Sequence, residues 1–153
     1  MTQANVDGDG GSPPDLMSFG LLVKDIHHLS VRRAEPLVTE IGLTFAQFNL
    51  LKAIARQPGI TGADLAVVTL ATPQAVAQLS ARIADAGYIR REQLKGRSIG
   101  HYVTESGAKV LAEGHELMWS VHRNTLSVLS EQEQSDLVEM LGRLRAKLIE
   151  DVG

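Results

Sequence analysis

The chain has 153 residues, of which 44% are hydrophobic, and its formal net charge at pH 7 is −3. This size suits one domain with a packed core, and the absence of cysteine excludes disulfides, thiolate metal sites and cysteine redox sensing. Neither a membrane-spanning apolar run nor a signal peptide is present in the sequence, so we expect a cytoplasmic protein without a membrane partner.

The N-terminal region divides into a polar tail and a helix. Residues 1–14 are acidic, rich in glycine and proline, and lack core-forming side chains, which predicts a disordered tail. Residues 15–36 carry apolar side chains at helical spacing, with Leu22, Ile26 and Leu29 on one stripe. We predict an N-terminal helix here, which Pro36 kinks or interrupts without ending the whole element.

Two helix starts follow. Thr44 and Gln47 have the spacing of a capping box, which predicts a helix over about 45–56. Thr61 and Asp64 repeat the device and predict a short helix that ends at about residue 68.

The next segment, ATPQAVAQLSARIADAGYI over residues 71–89, predicts a further helix. Thr72 can cap it, Pro73 suits its first turn, and Gly87 can end it. Two short strands are predicted at 88–92 and 99–103, with the basic tripeptide Lys95–Arg97 at the tip of the hairpin between them.

The remaining residues, 105–150, predict two more helices. Thr104 opens a long helix to about residue 128, and Ser130 with Glu133 forms a last capping box. The final helix has leucines spaced by four, three and four residues, a short coiled-coil-like seam that comprises Leu137, Leu141, Leu144 and Leu148.

The order of these elements indicates the fold class. A short helix, a tight connection and a second helix make a helix-turn-helix, and the hairpin that follows makes it winged. We predict a mainly α fold with a small β-hairpin wing, in which residues 37–104 form a winged helix-turn-helix lobe with helices before and after it.

The helix that starts at Thr72 has two different faces. Val76, Leu79 and Ile83 recur at packing positions, while Gln74, Gln78 and Arg82 share the opposite strip with small alanines between them. Small residues allow close approach to a DNA major groove, and glutamine can pair with adenine through two hydrogen bonds. The same residues are good helix formers, so the pattern alone also fits a solvated helix.

The charges are segregated along the chain. Residues 52–104 carry seven basic and three acidic side chains, a net +4, between segments of −3 and −4. Such a field can steer a polyanion, and an arginine at a hairpin tip suits the minor groove or its phosphates. The simpler alternative is a solvated basic face. The candidate wing contacts are Arg90, Arg91, Lys95 and Arg97.

Taken in order, these motifs resemble the multiple-antibiotic-resistance regulator (MarR) family. The resemblance covers about residues 16–150 and rests on ITGADLAVVTLATPQAVAQLSARIADAGYIRR, KGRSIGHYVTESGAKVL, LTFAQFNLLKAI and LSEQEQSDLVEMLGRL. It implies a homodimeric, non-enzymatic transcriptional regulator, most often a repressor, whose two winged lobes bind adjacent major grooves of a pseudo-palindromic operator in double-stranded DNA. Many members are released by small aromatic or phenolic ligands.

The resemblance also assigns residues. It places Thr72, Pro73, Gln74, Gln78 and Arg82 on the recognition helix and Arg97 at the wing tip. It makes a dimer interface of the first and last helices, and the apolar residues concerned are Leu22, Ile26, Leu29, Leu137, Leu141, Leu144 and Leu148. A long amphipathic helix without a partner in its own lobe needs a second chain, which agrees with this assignment.

Two positions depart from the family pattern. The wing tip usually reads Asp-x-Arg, and here it is Lys95-Gly96-Arg97, which adds a cation but removes the carboxylate that orients the arginine. The turn before the recognition helix commonly has glycine where this chain has Leu70. If that position needs a positive φ, leucine costs about 1 kcal/mol there.

The family's effector pocket lies between the dimer helices and the DNA lobe. His27, His28 and Arg32 interrupt the apolar first helix, and Trp119 lies on the helix expected to face it. An apolar slot with a few polar groups would suit an aromatic acid. The alternative is that Trp119 belongs to the core or to the dimer packing.

Other function classes have weaker support. The histidine spacing gives no ready chelate, so we expect no metal site, and we expect no cofactor. Motifs of catalysis are not found in the sequence, so we do not expect an enzyme. The main alternative function is a winged-helix protein-interaction module that does not read DNA itself.

Overall fold

The computed structural model describes residues 15–152, so the predicted tail over 1–14 lies outside the described residues. The elements in chain order are α1 (Leu16–Glu40), α2 (Phe45–Arg56), β1 (Ile60–Thr61), α3 (Gly62–Thr69), α4 (Pro73–Asp85), β2 (Ile89–Gln93), β3 (Ile99–Val103), α5 (Glu105–Leu126) and α6 (Glu131–Val152). The predicted winged helix-turn-helix fold is confirmed. Of the helices in this part of the chain, none is long and apolar enough to cross a membrane.

Side-chain caps start the helices where the sequence predicts. The Thr44 hydroxyl accepts the Gln47 N–H at 3.2 Å, and the Gln47 side chain accepts the Thr44 N–H at 2.8 Å. At α3 the Thr61 hydroxyl accepts the Asp64 N–H, but the Asp64 carboxylate accepts from the Thr61 hydroxyl instead of the backbone. We attribute this difference to the aspartate side chain, which is one methylene shorter than that of glutamate.

Helix α1 is longer than predicted. The proline does not end the element, as expected, but it does not interrupt it either, since α1 continues through Pro36 to Glu40, past the expected boundary at residue 36. A single proline removes one N–H donor, and the next turn carries the helix on. Gly42, at φ +81°, ends it, with its N–H donated to the Thr39 carbonyl and that of Leu43 to the Val38 carbonyl.

The wing has three strands, not the two that were predicted. Strand β1 pairs antiparallel with β3, so the sheet order is β1-β3-β2. Ile60 lies opposite His101, and the N–H of Gly59 donates to the His101 carbonyl at 2.8 Å. A two-residue strand is too short to show alternation in the sequence, which explains why it was missed.

The core of the lobe is built around α2. Phe48, Leu51 and Ile54 are fully buried, and α4 adds Val76 and Ile83 from its packing face. The lobe therefore packs against one face of α4 and leaves the opposite face exposed.

The apolar surface of the terminal helices is different. Leu22, Ile26 and Leu29 are each 59% exposed, and none of the described residues of α6 is fully buried. Its leucine seam is exposed at Leu141, Leu144 and Leu148 and half-buried at Leu137. A single protomer thus leaves two long apolar stripes in solvent, and isolated helices of this kind depend on packing for stability.

Candidate nucleic-acid interface

Helix α4 separates its two faces as the sequence predicts. The Thr72 hydroxyl accepts the Ala75 N–H at 3.1 Å, and Pro73 occupies the first turn. Val76 and Ile83 are buried and Leu79 is half-buried against the core. The polar strip is exposed along its length, and it consists of Gln74, Gln78 and Arg82.

The α3–α4 turn sets the direction of α4. Leu70 has φ +53°, which makes it the single non-glycine residue with a positive φ between residues 15 and 152. The condition considered in the sequence analysis, a positive φ at this position, is therefore met, and a leucine in this conformation costs about 1 kcal/mol relative to glycine.

The wing brings two of its arginines to α4. Side chains alternate along β2, and Arg91 lies opposite His101 while Arg90 lies opposite Tyr102. A cavity of about 460 Å³ separates the wing from α4, and Arg91, Arg97, Pro73 and Ala77 are among its lining residues. Two guanidinium groups and the start of α4 therefore share one concave surface.

Arg90 belongs to the other face of the wing. Its guanidinium lies 4.5 Å from the centre of the Tyr102 ring and forms an ion pair with Glu92. It lines a separate cavity of about 310 Å³ with Pro58 and His115. The structure therefore does not bring Arg90 together with Arg91 and Arg97.

The wing tip is held by a residue that the sequence analysis missed. The Gln93 side-chain amide donates to the carbonyl oxygens of Gly96 at 2.8 Å and Ser98 at 3.2 Å. These bonds bracket Arg97 on both sides, so the backbone of the tip is fixed without an aspartate. Lys95 and Arg97 are both exposed. A glutamine at the last position of a strand before a tight tip was the available signal.

Two polar residues of the cleft beside α4 were also missed. His101 is 5% exposed, and its Nδ1 lies 2.9 Å from the Ile60 carbonyl oxygen, which joins β3 to β1. Ser80 is 2% exposed, and its hydroxyl has no hydrogen-bond partner in the described part of the chain. Both residues line the cavity that contains Arg91. Local sequence carries no signal for either, because each is buried by elements distant along the chain.

The four candidate effector residues lie apart. His28 and Arg32 line an open cavity of about 600 Å³ whose lining residues all belong to α1. His27 lines a second cavity, of about 520 Å³, between α1, α2 and the α3–α4 turn. Trp119 is 56% exposed on α5, with the Arg123 guanidinium 4.1 Å from its ring centre.

A metal-binding cluster of three or more histidine or acidic residues is not found between residues 15 and 152.

Comparison with known proteins agrees with this geometry. Residues 41–98 match the model of the MarR family. Transcriptional regulator HosA of Escherichia coli is 31% identical over 104 residues, which cover 67% of this chain and 77% of HosA. The HTH-type transcriptional repressor Rv2887 of Mycobacterium tuberculosis is 27% identical over 70% of this chain and 78% of its own length.

Solved structures show the same fold. Wild-type MarR from Escherichia coli has a TM-score of 0.75 at 22% identity, over 82% of this chain and 95% of MarR. Rv2887 in complex with DNA has a TM-score of 0.73 at 21% identity, over 86% of this chain and 98% of Rv2887. The helix order, the three-stranded wing, the exposed polar face of α4 and these relatives agree, and we conclude that the chain belongs to the MarR family of DNA-binding transcriptional regulators.

Proposed function

We propose that the protein is a homodimeric repressor that reads a pseudo-palindromic operator with α4 in the major groove and the wing beside it. The observation that carries this proposal is the shared concave surface of α4 and the wing, where Arg91 and Arg97 face the start of the helix. In such an arrangement the exposed polar face of the helix can enter a groove, and the arginine side chains of the cleft can bind the phosphates beside that groove.

In this proposal the strip on α4 reads bases. Gln74, Gln78 and Arg82 are four residues apart and exposed, and the alanines between them allow the backbone to approach the groove. Each glutamine that pairs with adenine through two bonds contributes about 1–3 kcal/mol of discrimination. The Thr72 hydroxyl and the Gln74 N–H receive a phosphate in this proposal, because Pro73 has no N–H and the Ala75 N–H already donates to Thr72.

The wing supplies the electrostatic part of the binding. Arg91, Lys95 and Arg97 contact phosphates or the minor groove, and the Gln93 hydrogen bonds brace the backbone of the tip. Arg90 stays outside the proposed interface, because its guanidinium is stacked on Tyr102 and paired on the opposite face.

The terminal helices form the proposed dimer interface. The α1 stripe and the α6 seam described above are exposed in the protomer, and a second copy can bury both around a two-fold axis. Two lobes held by one interface can then meet two successive half-sites on the same side of the DNA.

A small aromatic acid is the proposed effector. The cavity of about 520 Å³ lies in the size range of small-molecule sites, and its lining combines apolar side chains with His27, Asn49, Thr69 and Glu35, whose carboxylate accepts the Phe45 N–H. Rv2887 has been solved in complex with salicylic acid and with p-aminosalicylic acid. In the proposal the ligand shifts α4, because Ala71, directly before Thr72, also lines this cavity.

The other predicted effector residues have a secondary place in this proposal. His28 and Arg32 form the polar rim of a neighbouring site on α1, and Trp119 reports ligand or dimer contacts through its emission.

The test is fluorescence anisotropy on duplex DNA from upstream of the protein's own gene, with a shuffled duplex as control. We expect tight binding to the first duplex only, steep weakening with salt, and release by salicylate. The Gln78→Ala variant should lose preference between the two duplexes, whereas Gln132→Ala, an exposed glutamine on α6, should not. Equal weak binding of the wild type to both duplexes would contradict the proposal.

A further inference from the structure

Three helices of the chain end in the same hydrogen-bonded motif, in which the residue after the helix is left-handed. Gly42 after α1 and Gly87 at the end of α4 occupy this position with φ of +81° and +79°. After α3 the position is taken by Leu70, whose N–H donates to the Val67 carbonyl oxygen. The N–H of Ala71 donates to the Ala66 carbonyl oxygen at 3.0 Å. Glycine is the usual residue there because it has no Cβ to clash.

The strain at Leu70 is not offset within the protomer. Its side chain is 96% exposed, so it buries almost no apolar surface in its own lobe. The two hydrogen bonds of the turn hold the backbone of Leu70 in this conformation, and they leave its apolar side chain free for a contact outside the lobe.

The Leu70 side chain forms one wall of an open apolar cavity of about 690 Å³. The other walls come from the first half of α1 and from α6, and apart from Arg145 they are apolar: Phe19, Val23, Leu141, Leu144, Leu148 and Ile149. The cavity is therefore continuous with the leucine seam of α6. A surface of this composition is normally covered by another macromolecule.

We propose that a second copy of this chain fills this cavity and covers Leu70, and that the contact positions the recognition helix. The inference rests on the proposed homodimer, and it adds a lobe residue to an interface otherwise made of terminal helices. The occupant is a second copy because the walls continue the stripes that the proposed dimer buries on α1 and α6.

The place of Leu70 in the chain gives the contact its effect on DNA binding. Leu70 is two residues before the cap Thr72, and it also lines the cavity of about 520 Å³ that contains His27. Leu70 thus lines both the cavity that the second copy fills and the proposed ligand cavity. A contact that holds Leu70 fixes where α4 begins relative to the dimer helices, which makes it a positioning residue for DNA reading.

The experiment compares four variants of the full chain by sedimentation equilibrium and operator anisotropy. Leu70→Ala keeps the strained backbone and removes the contact, Leu70→Gly removes both, and Leu70→Met keeps an apolar side chain of similar volume. Val67→Ala is the matched control, because Val67 is 73% exposed on α3 and does not line the cavity.

We expect Leu70→Ala and Leu70→Gly to weaken the dimer by at least about tenfold, as burial of a leucine side chain requires. At concentrations where every variant is dimeric, Leu70→Ala should also bind the operator more weakly than the wild type, because α4 is no longer held in its position. Leu70→Met should restore both properties, and Val67→Ala should leave both unchanged.

Two results would overturn the inference. One is that Leu70→Ala has the same dimer dissociation constant and the same operator affinity as the wild type. The other is that Leu70→Gly has a higher melting temperature than the wild type and an unchanged dimer dissociation constant. That result would mean that the substitution removed backbone strain and no contact. A wild-type chain that stays monomeric at all concentrations would instead refute the homodimer itself, so the two failures are distinguishable.

Discussion

Replacing one of two neighbouring arginines in β2 tests the orientation of the wing. Arg91 faces α4, whereas Arg90 faces the opposite side, stacked on Tyr102 and paired with Glu92. The substitutions Arg91→Ala and Arg90→Ala remove the same charge from adjacent positions. Any difference between them in DNA binding therefore reports which face of the wing meets the DNA.

The magnitude follows from counterion release. Each phosphate contact contributes about 0.9 to the slope of log K against log salt on B-DNA. A dimer holds two copies of Arg91, so Arg91→Ala should reduce that slope by about 1.8. Arg90→Ala should leave the slope within the experimental error, because that guanidinium is occupied on the far face.

The assay is operator anisotropy at four or more salt concentrations between about 50 and 200 mM, the range in which phosphate contacts change affinity most visibly. Circular dichroism at each salt concentration checks that both variants stay folded. If Arg90→Ala reduced the slope as much as Arg91→Ala, the face assignment would be refuted, and long-range charge alone would explain the binding.

Three further predictions concern other parts of the chain. Gln78→Ala and Gln74→Ala should each cost about 1–3 kcal/mol of discrimination against substituted operators in competition assays, with little change in salt slope. Gly107→Ala should lower the free energy of unfolding in urea by about 2 kcal/mol, because a Cβ there would overlap the Tyr88 carbonyl oxygen. The α6 cap donates two hydrogen bonds to the Glu133 carboxylate, which lowers the pKa of Glu133 below its ordinary 4.5. The resulting stabilisation is present above pH 4.5 and lost as pH falls through the lowered pKa, so the melting temperature of Glu133→Gln should change less on acidification.

The parts of the fold that could be predicted from sequence are those set by local interactions. The caps at Thr44, Thr72 and Thr104 act within three or four residues, so the helix starts were predictable to within a residue or two. The separation of the two faces of α4 follows from helical periodicity alone, and it too is observed in the structure.

The parts that could not be predicted depend on pairing between distant segments. Strand β1 forms only because Ile60 meets His101, 41 residues later. The opposite directions of Arg90 and Arg91 follow from strand alternation, but which of them faces α4 depends on how the sheet packs on the lobe. The different cavities of His27 and His28 follow from their adjacent positions on one helix, whereas the surroundings of Trp119 depend on tertiary arrangement.

The alternation of β2 also constrains how the wing can change in evolution. Inserting or deleting one residue between Tyr88 and Arg91 would either bulge β2 or shift its register against β3, and both disturb the alternation that separates Arg90 from Arg91. A change in length at the tip, between Gln93 and Ile99, leaves the side chains of both strands on the same faces of the sheet. We therefore expect homologous wings to differ in length only at the tip, with the strand that carries the arginines constant in length.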